Sequence, residues 1–214
     1  MRFIRTLTAV LALVAVYPRS GAAQMGRPFT NAWFWGVKGG GMDYNSFTQT
    51  HQQAPLVGAE WLITRSRAGL YVSFSQAMFT DQSAVLVDPD TVPVTLKNMR
   101  RVDVAAVVFP GSSRFVHPYG GIGFSLKQIA SAETSDPTFA SDPNIQAFLT
   151  ELRTGASPFF ILGSQFRLPM FSVFFQGTAS PAQKNMFLYN GKAFHLTYEG
   201  GVRFNVGGSI DRSN

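Results

Sequence analysis

The chain has 214 residues, 45% of them apolar and 14% charged, with 20 glycines, 20 phenylalanines and no cysteine. So apolar and aromatic a chain is not disordered, and without cysteine it has no disulfide scaffold, thiolate metal site or thiol nucleophile. No internal run reaches the roughly 18–20 apolar residues of a membrane-spanning helix.

The first residues read as an export signal. Arg2 and Arg5 give a basic start, residues 7–16 (LTAVLALVAV) a short apolar block, and Gly21-Ala22-Ala23 the small residues at which a signal peptidase cuts. Cleavage after Ala23 removes residues 1–23 and leaves 24–214 as one domain. Arg2, Arg5 and Arg19 leave with the peptide, so 15 basic residues remain against 12 acidic ones, a net charge of +3. The remaining cations form no cluster, which argues against a nucleic-acid partner.

Beyond residue 30 the apolar residues alternate as in strands. A first strand is expected over 32–44, although Phe34 sets an aromatic among its polar positions. In a second, 55–65, Val57, Ala59, Trp61 and Ile63 alternate with Gly58, Glu60, Leu62 and Thr64. A third, 69–79, sets Leu70, Val72 and Phe74 against Tyr71, Ser73 and Ser75, and a fourth, 96–109, sets Val102, Val104, Ala106 and Val108 against Arg101, Asp103 and Ala105. The fifth, 115–127, carries Ile122 and Phe124 against Gly121, Gly123 and Ser125, and the sixth, 157–167, carries Phe160, Leu162 and Phe166 against Ile161, Gly163, Gln165 and Arg167. The seventh, 171–179, is again irregular because of Phe174. The eighth, 193–206, is the clearest: Phe194, Leu196, Tyr198, Val202, Phe204 and Val206 oppose His195, Thr197, Glu199, Gly201, Arg203 and Asn205.

The connections sort by length. Strands two and three, four and five, and six and seven are joined by tight links (Arg65-Ser66-Arg67-Ala68, Pro110-Gly111-Ser112-Ser113-Arg114 and Leu168-Pro169-Met170). The others, 45–54, 80–95, 128–156 and 180–192, are long. Strict alternation of short and long links belongs to an up-and-down transmembrane barrel rather than a sandwich. Within the third long link a helix is expected over 144–153, capped by Asp142, with Pro143 at its first position, Gly155 beyond its end and an apolar stripe of Ile145, Phe148, Leu149 and Leu152. Such a stripe folds back over the rim or meets a membrane surface or partner.

At the end of the eighth strand, Glu199-Gly200-Gly201-Val202-Arg203-Phe204-Asn205-Val206 runs polar, any, Gly, any, any, apolar, any, apolar. On this motif the chain resembles the small outer-membrane β-barrel proteins, the eight-stranded OmpX and OmpA-barrel type, over nearly all of its mature length. It departs from them in the tail 207–214, where many relatives end on an aromatic residue. The resemblance implies an all-β, eight-stranded antiparallel transmembrane barrel in the outer membrane, with short periplasmic turns and long extracellular loops. It further implies that outer-membrane lipid and lipopolysaccharide surround the barrel, and that the barrel assembly machinery reads Glu199, Gly201, Phe204 and Val206 as a terminal-strand signal. The barrel would be a monomer without cofactor.

In lipid a sheet must close on itself to pair its backbone groups, and eight strands leave an interior just wide enough for side chains. The alternation then sends Lys38, Glu60, Arg101, Asp103, Arg167, Glu199 and Arg203 inward, where opposite charges are expected to pair and plug the lumen. The first expectation is a non-enzymatic surface barrel serving envelope structure, adhesion or surface contact. A channel or carrier for a small or apolar solute is the alternative, and a soluble lipocalin-like barrel with the two faces exchanged is the third. His51, His117 and His195 share no metal spacing, no G-x-S-x-G motif is present, and Asp88 and Asp90 read as a turn about Pro89.

Overall fold

The computed structural model describes residues 29–46, 48, 50–87, 90–111, 115–134, 136–168, 170–182, 186–188 and 193–208. The expected signal peptide 1–23, Asp88 and most of the tail 207–214 lie outside the described residues. Gly207 and Gly208 continue the last strand.

The alternating segments form eight strands: β1 (Ala32–Tyr44), β2 (Gln52–Arg65), β3 (Ala68–Val87), β4 (Asp90–Val108), β5 (Val116–Thr134), β6 (Thr154–Arg167), β7 (Ser172–Pro181) and β8 (Phe194–Gly208). Each pairs antiparallel with its neighbours in the sequence, and β1 pairs with β8, so the sheet closes into a barrel with no free edge along its wall. Two helices, α1 (Pro137–Ala140) and α2 (Pro143–Leu152), lie between β5 and β6. The short links gather at one end of the barrel, the turn end, and the longer ones at the other, the loop end. Ser66 takes a left-handed φ of 50° in the two-residue turn between β2 and β3, which suits the twist of a hairpin.

The expected long link 80–95 is instead mostly strand. β3 and β4 stay paired up to Val87↔Asp90, and β4 and β5 up to Val94↔Thr134, well past the last β2–β3 pair, Leu56↔Ala77. A bulge hides this extension in the sequence. The β3–β4 register shifts between Ala77 and Thr80, Asn98 adopts a φ of 53°, and its side-chain oxygen accepts the Phe79 N–H at 3.3 Å. Below the bulge Met99, Arg101 and Asp103 are buried; above it Val92, Val94 and Leu96 are. The buried row thus changes from odd to even residues, and a search for one unbroken alternation loses the strand there. The expected link 128–156 shortens likewise to 135–153.

The interior is layered. At the turn end, Phe29, Phe34, Leu62, Val107, Phe109 and Tyr119 pack together. Phe29 stacks on His117 with centroids 4.0 Å apart and meets Phe109 edge-on at 4.9 Å. At the loop end, Met42, Leu56, Leu96, Met99, Ile129 and Phe187 form a second apolar cluster, onto which Ile145 and Leu149 of α2 fold. Asp142 caps α2 by accepting the Asn144 N–H at 2.8 Å. The helix runs Pro143–Leu152 and passes directly into β6, one residue earlier than expected at each end. Of the expected stripe, Ile145 and Leu149 are buried while Phe148 is 37% exposed. Between the two apolar layers lies a polar one.

Candidate functional site

The polar layer draws a side chain from every strand. The parity of each strand fixes which residues enter it: Lys38 from β1, Glu60 from β2, Tyr71 and Ser73 from β3, Arg101 and Asp103 from β4, Tyr119 from β5, Gln165 from β6, Gln176 from β7, and Glu199 and Arg203 from β8. All are buried.

Two charged groups organise it. Arg203 pairs through Nε with Glu60 Oε1, donates through Nη1 to Gln165 Oε1 at 2.7 Å and through Nη2 to the Tyr119 hydroxyl at 3.2 Å. Its guanidinium lies 3.9 Å from the Phe174 ring centroid, so the aromatic that disturbs the seventh strand's alternation is a stacking surface for a buried cation. Glu199 accepts from Lys38 Nζ at 2.8 Å and from Arg101 Nη2 at 2.6 Å, and Arg101 Nε stands 2.9 Å from Asp103 Oδ2. Tyr71 and Gln176 join the two halves. The Tyr71 hydroxyl donates to Glu60 Oε2 at 3.1 Å and accepts from Lys38 at 3.0 Å and from Gln176 Nε2 at 2.8 Å. Gln176 Nε2 also donates to Glu199 Oε2 at 2.6 Å.

The structure therefore brings Lys38, Glu60, Arg101, Asp103, Glu199 and Arg203 into one connected cluster. Arg167 stands apart at the turn-end limit of β6, half-buried, where its N–H bonds the Phe115 carbonyl at 2.7 Å. Tyr71, Tyr119, Gln165 and Gln176 were absent from the sequence-derived set because neutral side chains carry no charge signal. Lys127 was absent too, although it continues the inward row Gly121, Gly123, Ser125. It is buried and donates to the Ser180 hydroxyl at 2.6 Å.

In the terminal strand, Glu199 faces the interior, whereas Phe204 and Val206 face outward, 39% and 56% exposed. Gly201 has a specific steric task. A Cβ there would meet the Val37 carbonyl oxygen and come within 2.8 Å of the Phe174 ring, so only glycine lets Phe174 lie flat beneath Arg203.

The histidines occupy three levels. His51 is exposed in the β1–β2 link, with its N–H bonded to Asn45 Oδ1 at 2.8 Å, His117 is in the turn-end cluster, and His195 is near the loop end. Among the described residues no three His, Asp or Glu gather as a metal-binding group. Asp90 opens β4. The arrangement holds buried charge by pairing, and among the described residues a cavity beneath the loop-end cluster measures about 10 Å³, close to the space of one water molecule.

No protein-family model matches the sequence, and no curated protein is similar to it in sequence. Solved structures do resemble it. Neisserial surface protein A, NspA, superposes with a TM-score of 0.51 at 10% identity, over 80% of this chain and 96% of that one. Ail, the attachment invasion locus protein of Yersinia pestis, solved in complex with the heparin analogue sucrose octasulfate, superposes with a TM-score of 0.47 at 13% identity, over 81% of this chain and 95% of that one. The likeness to NspA establishes the fold: a small, closed, eight-stranded antiparallel barrel of the kind found in outer-membrane proteins.

Proposed function

We propose that the protein is an integral outer-membrane barrel without a through-passage, which presents its loop end at the cell surface and carries no catalytic site. The observation that carries this reading is the outer wall. Leu162 is 73% exposed, Phe124 69% and Ile122 63%, and Val104, Phe160, Phe175 and Tyr198 continue the same belt around the barrel. A contiguous apolar patch of that extent is untenable in water, while acyl chains solvate it. The outward row of β8 from Phe194 to Val206, at about 3.3 Å per residue and a tilt of about 40°, rises roughly 30 Å, enough to cross the hydrocarbon. Trp33 and Trp35 near the turn end suit the interface, where amphipathic rings concentrate. A soluble carrier of the lipocalin kind needs the opposite arrangement, with apolar side chains around a cavity and charges outside.

Export by residues 1–23 and reading of Glu199, Gly201, Phe204 and Val206 by the assembly machinery belong to this proposal. So do lipid and lipopolysaccharide as immediate partners, and a monomeric state that needs no cofactor. The turn end then faces the periplasm. The β3–β5 extension and α2 stand beyond the belt on the outside, so a surface contact for adhesion or envelope integrity would be made there.

Cell fractionation with gel mobility before and after boiling tests the reading. The protein is expected in the outer membrane, migrating differently when unheated; recovery in a detergent-free soluble fraction would refute the proposal. Purified protein in planar bilayers is expected to give no stable conductance, because the paired side chains and both apolar layers fill the lumen. Long-lived open steps would favour a channel instead.

A further inference from the structure

The two ends of the barrel differ in surface charge. At the turn end the charged side chains of the described surface are all guanidinium: Arg65 and Arg67 flank Ser66 in the β2–β3 turn, both exposed, and Arg167 ends β6, half-buried. No carboxylate stands among the described residues there. The loop side mixes both signs, as in the Lys97–Glu133 pair at 3.7 Å. Exposed apolar side chains accompany the arginines, with Phe115 just before β5 and Leu168 and Met170 in the β6–β7 turn. The turns are short and cannot carry these groups away from the wall. The Arg67 carbonyl accepts the Phe109 N–H at 2.8 Å, which ties its turn to β4. Arg65 lies two residues beyond Ile63 in the outward row of β2, about 5 Å further along the barrel axis at about 3.3 Å per residue and a tilt of about 40°.

We propose that the turn end is an interaction surface for anionic phospholipid, with its arginines paired to headgroup phosphates of the periplasmic leaflet. This rests on the outer-membrane reading above. Depth, composition and layout agree on that occupant. The headgroup layer is roughly 5–7 Å deep on each side of the hydrocarbon, so it receives the Arg65 guanidinium while the apolar wall stays in acyl chains. Arginine suits phosphate, which its planar fork binds through two parallel hydrogen bonds. The exposed Phe115, Leu168 and Met170 favour a lipid surface over a soluble polyanion, because only the lipid also solvates apolar side chains. Finally, β2 and β6 are four strands apart in a ring of eight, on opposite sides of the barrel. Such a layout fits a planar layer of headgroups rather than one discrete ligand. A zwitterionic headgroup already holds an ammonium beside its phosphate, so a glycerol headgroup, which has none, is preferred.

The chain supplies its own reporters. Its three tryptophans are Trp33, Trp35 and Trp61; Trp33 pairs with Ile63 and Trp35 with Trp61, all within a few residues of Arg65. The full-length folded protein is reconstituted in phosphatidylcholine vesicles in which brominated phosphatidylglycerol or brominated phosphatidylcholine replaces part of the lipid. Quenching of tryptophan fluorescence then measures which lipid gathers beside β1 and β2. Phosphatidylglycerol is expected to associate roughly fivefold more strongly, and this preference should fall as ionic strength rises. Arg65→Gln with Arg67→Gln should bring the two lipids to near equality. Lys97→Gln with Arg100→Gln, an equal change of charge on the loop side, should leave the preference intact. Equal quenching of the unmutated protein by both lipids overturns the proposal while leaving the membrane barrel standing, and needs no variant to fold. Quenching by neither lipid removes the membrane reading and the proposal together. A preference that survives Arg65→Gln with Arg67→Gln, or that falls equally in the loop-side variant, also overturns it, because net charge rather than the turn end would then select the lipid.

Discussion

In the middle of the barrel the lumen is closed by charge, with ion pairs and hydrogen bonds that link all eight strands. At the loop end it is closed by oil, where Met42, Leu96, Ile129 and Phe187 lie under a helix. The two regions meet at Met99 and Arg101, two residues apart on β4. Apolar packing tolerates many arrangements, so the loop-end layer contributes burial without dictating register. The polar layer is the reverse. Each of its groups demands particular partners, and a one-residue slip of a strand that carries one of its charges would turn that charge outward and leave its partner unpaired. If the outer wall meets acyl chains as proposed, net stability is expected mainly from the apolar layers and the lipid, and uniqueness from the charged one.

Arg203→Ala should produce the largest effect. It leaves Glu60 buried with the Tyr71 hydroxyl as its remaining donor and removes the partner of Gln165 and Phe174. Breaking a buried pair from one side costs about 3–5 kcal/mol, measurable by urea unfolding in lipid vesicles. Replacing Arg203 and Glu60 together by Met and Leu should recover most of that loss. If the double variant is as unstable as the single one, the pair supplies net stability as well as specificity, and the division of labour between the two regions fails.

Next in size is a test of which face meets lipid. Val104 is 45% exposed and Asp103 is buried, though they are neighbours on β4. Val104→Arg at mid-membrane should cost roughly 2–4 kcal/mol, and Asp103→Asn less, since it keeps the shape and a hydrogen-bonding group beside Ser73. A bilayer quencher should reach a fluorophore at 104 and miss one at 103. The opposite pattern would place β4 one residue out of register.

The same contrast separates what the sequence discloses from what it hides. Mid-barrel positions follow one uninterrupted alternation, so Glu60, Asp103, Glu199 and Arg203 can be assigned to one face by parity alone. Physics also makes that face internal, once the apolar row is too extensive for water. The loop end obeys the same alternation with its phase reset at Asn98, and a reset is invisible without knowing that Phe79 N–H binds the Asn98 side chain. Hence β3 and β4 seem to stop near 79 and 96. Phe34 and Phe174 look misplaced in the sequence because their roles are tertiary: one packs with Phe29 in the turn-end layer, the other under Arg203. The neutral members, Gln165, Gln176, Tyr71 and Tyr119, are ordinary polar residues until eight strands converge on them.

Gly201→Ala probes the seam between these layers with a single methyl group. The new Cβ would press on the Phe174 ring and the Val37 carbonyl, forcing the ring off Arg203. Overpacking of this kind costs about 1–3 kcal/mol. The loss should shrink when Phe174→Leu is added, because the smaller side chain yields the space. A Gly201→Ala penalty unchanged by Phe174→Leu would locate the strain in the β1–β8 backbone instead.

The smallest effect is expected at α2, and it asks whether the loop-end cap is a separate unit from the barrel. Asp142 holds the helix start: its side chain accepts the Asn144 N–H, and its carbonyl accepts the Gln146 N–H at 3.1 Å. The far end is fastened independently. Arg153 Nε donates to the Ile129 carbonyl at 3.1 Å, Nη2 donates to the Ala130 carbonyl, and the Ile129 N–H returns a bond to the Arg153 carbonyl at 2.8 Å. Asp142→Ala removes only the first fastening, at a typical cost of about 1 kcal/mol. Fraying should reach Ile145, one turn in, and stop before Leu149, which is buried. Amide exchange in the first turn of α2 should therefore speed up by roughly fivefold, while exchange in β8 and the thermal midpoint stay where they were. A midpoint that falls with the cap would mean that helix, apolar roof and charged layer open as one. The loop end would then owe its order to the barrel beneath it rather than to its own capping and packing.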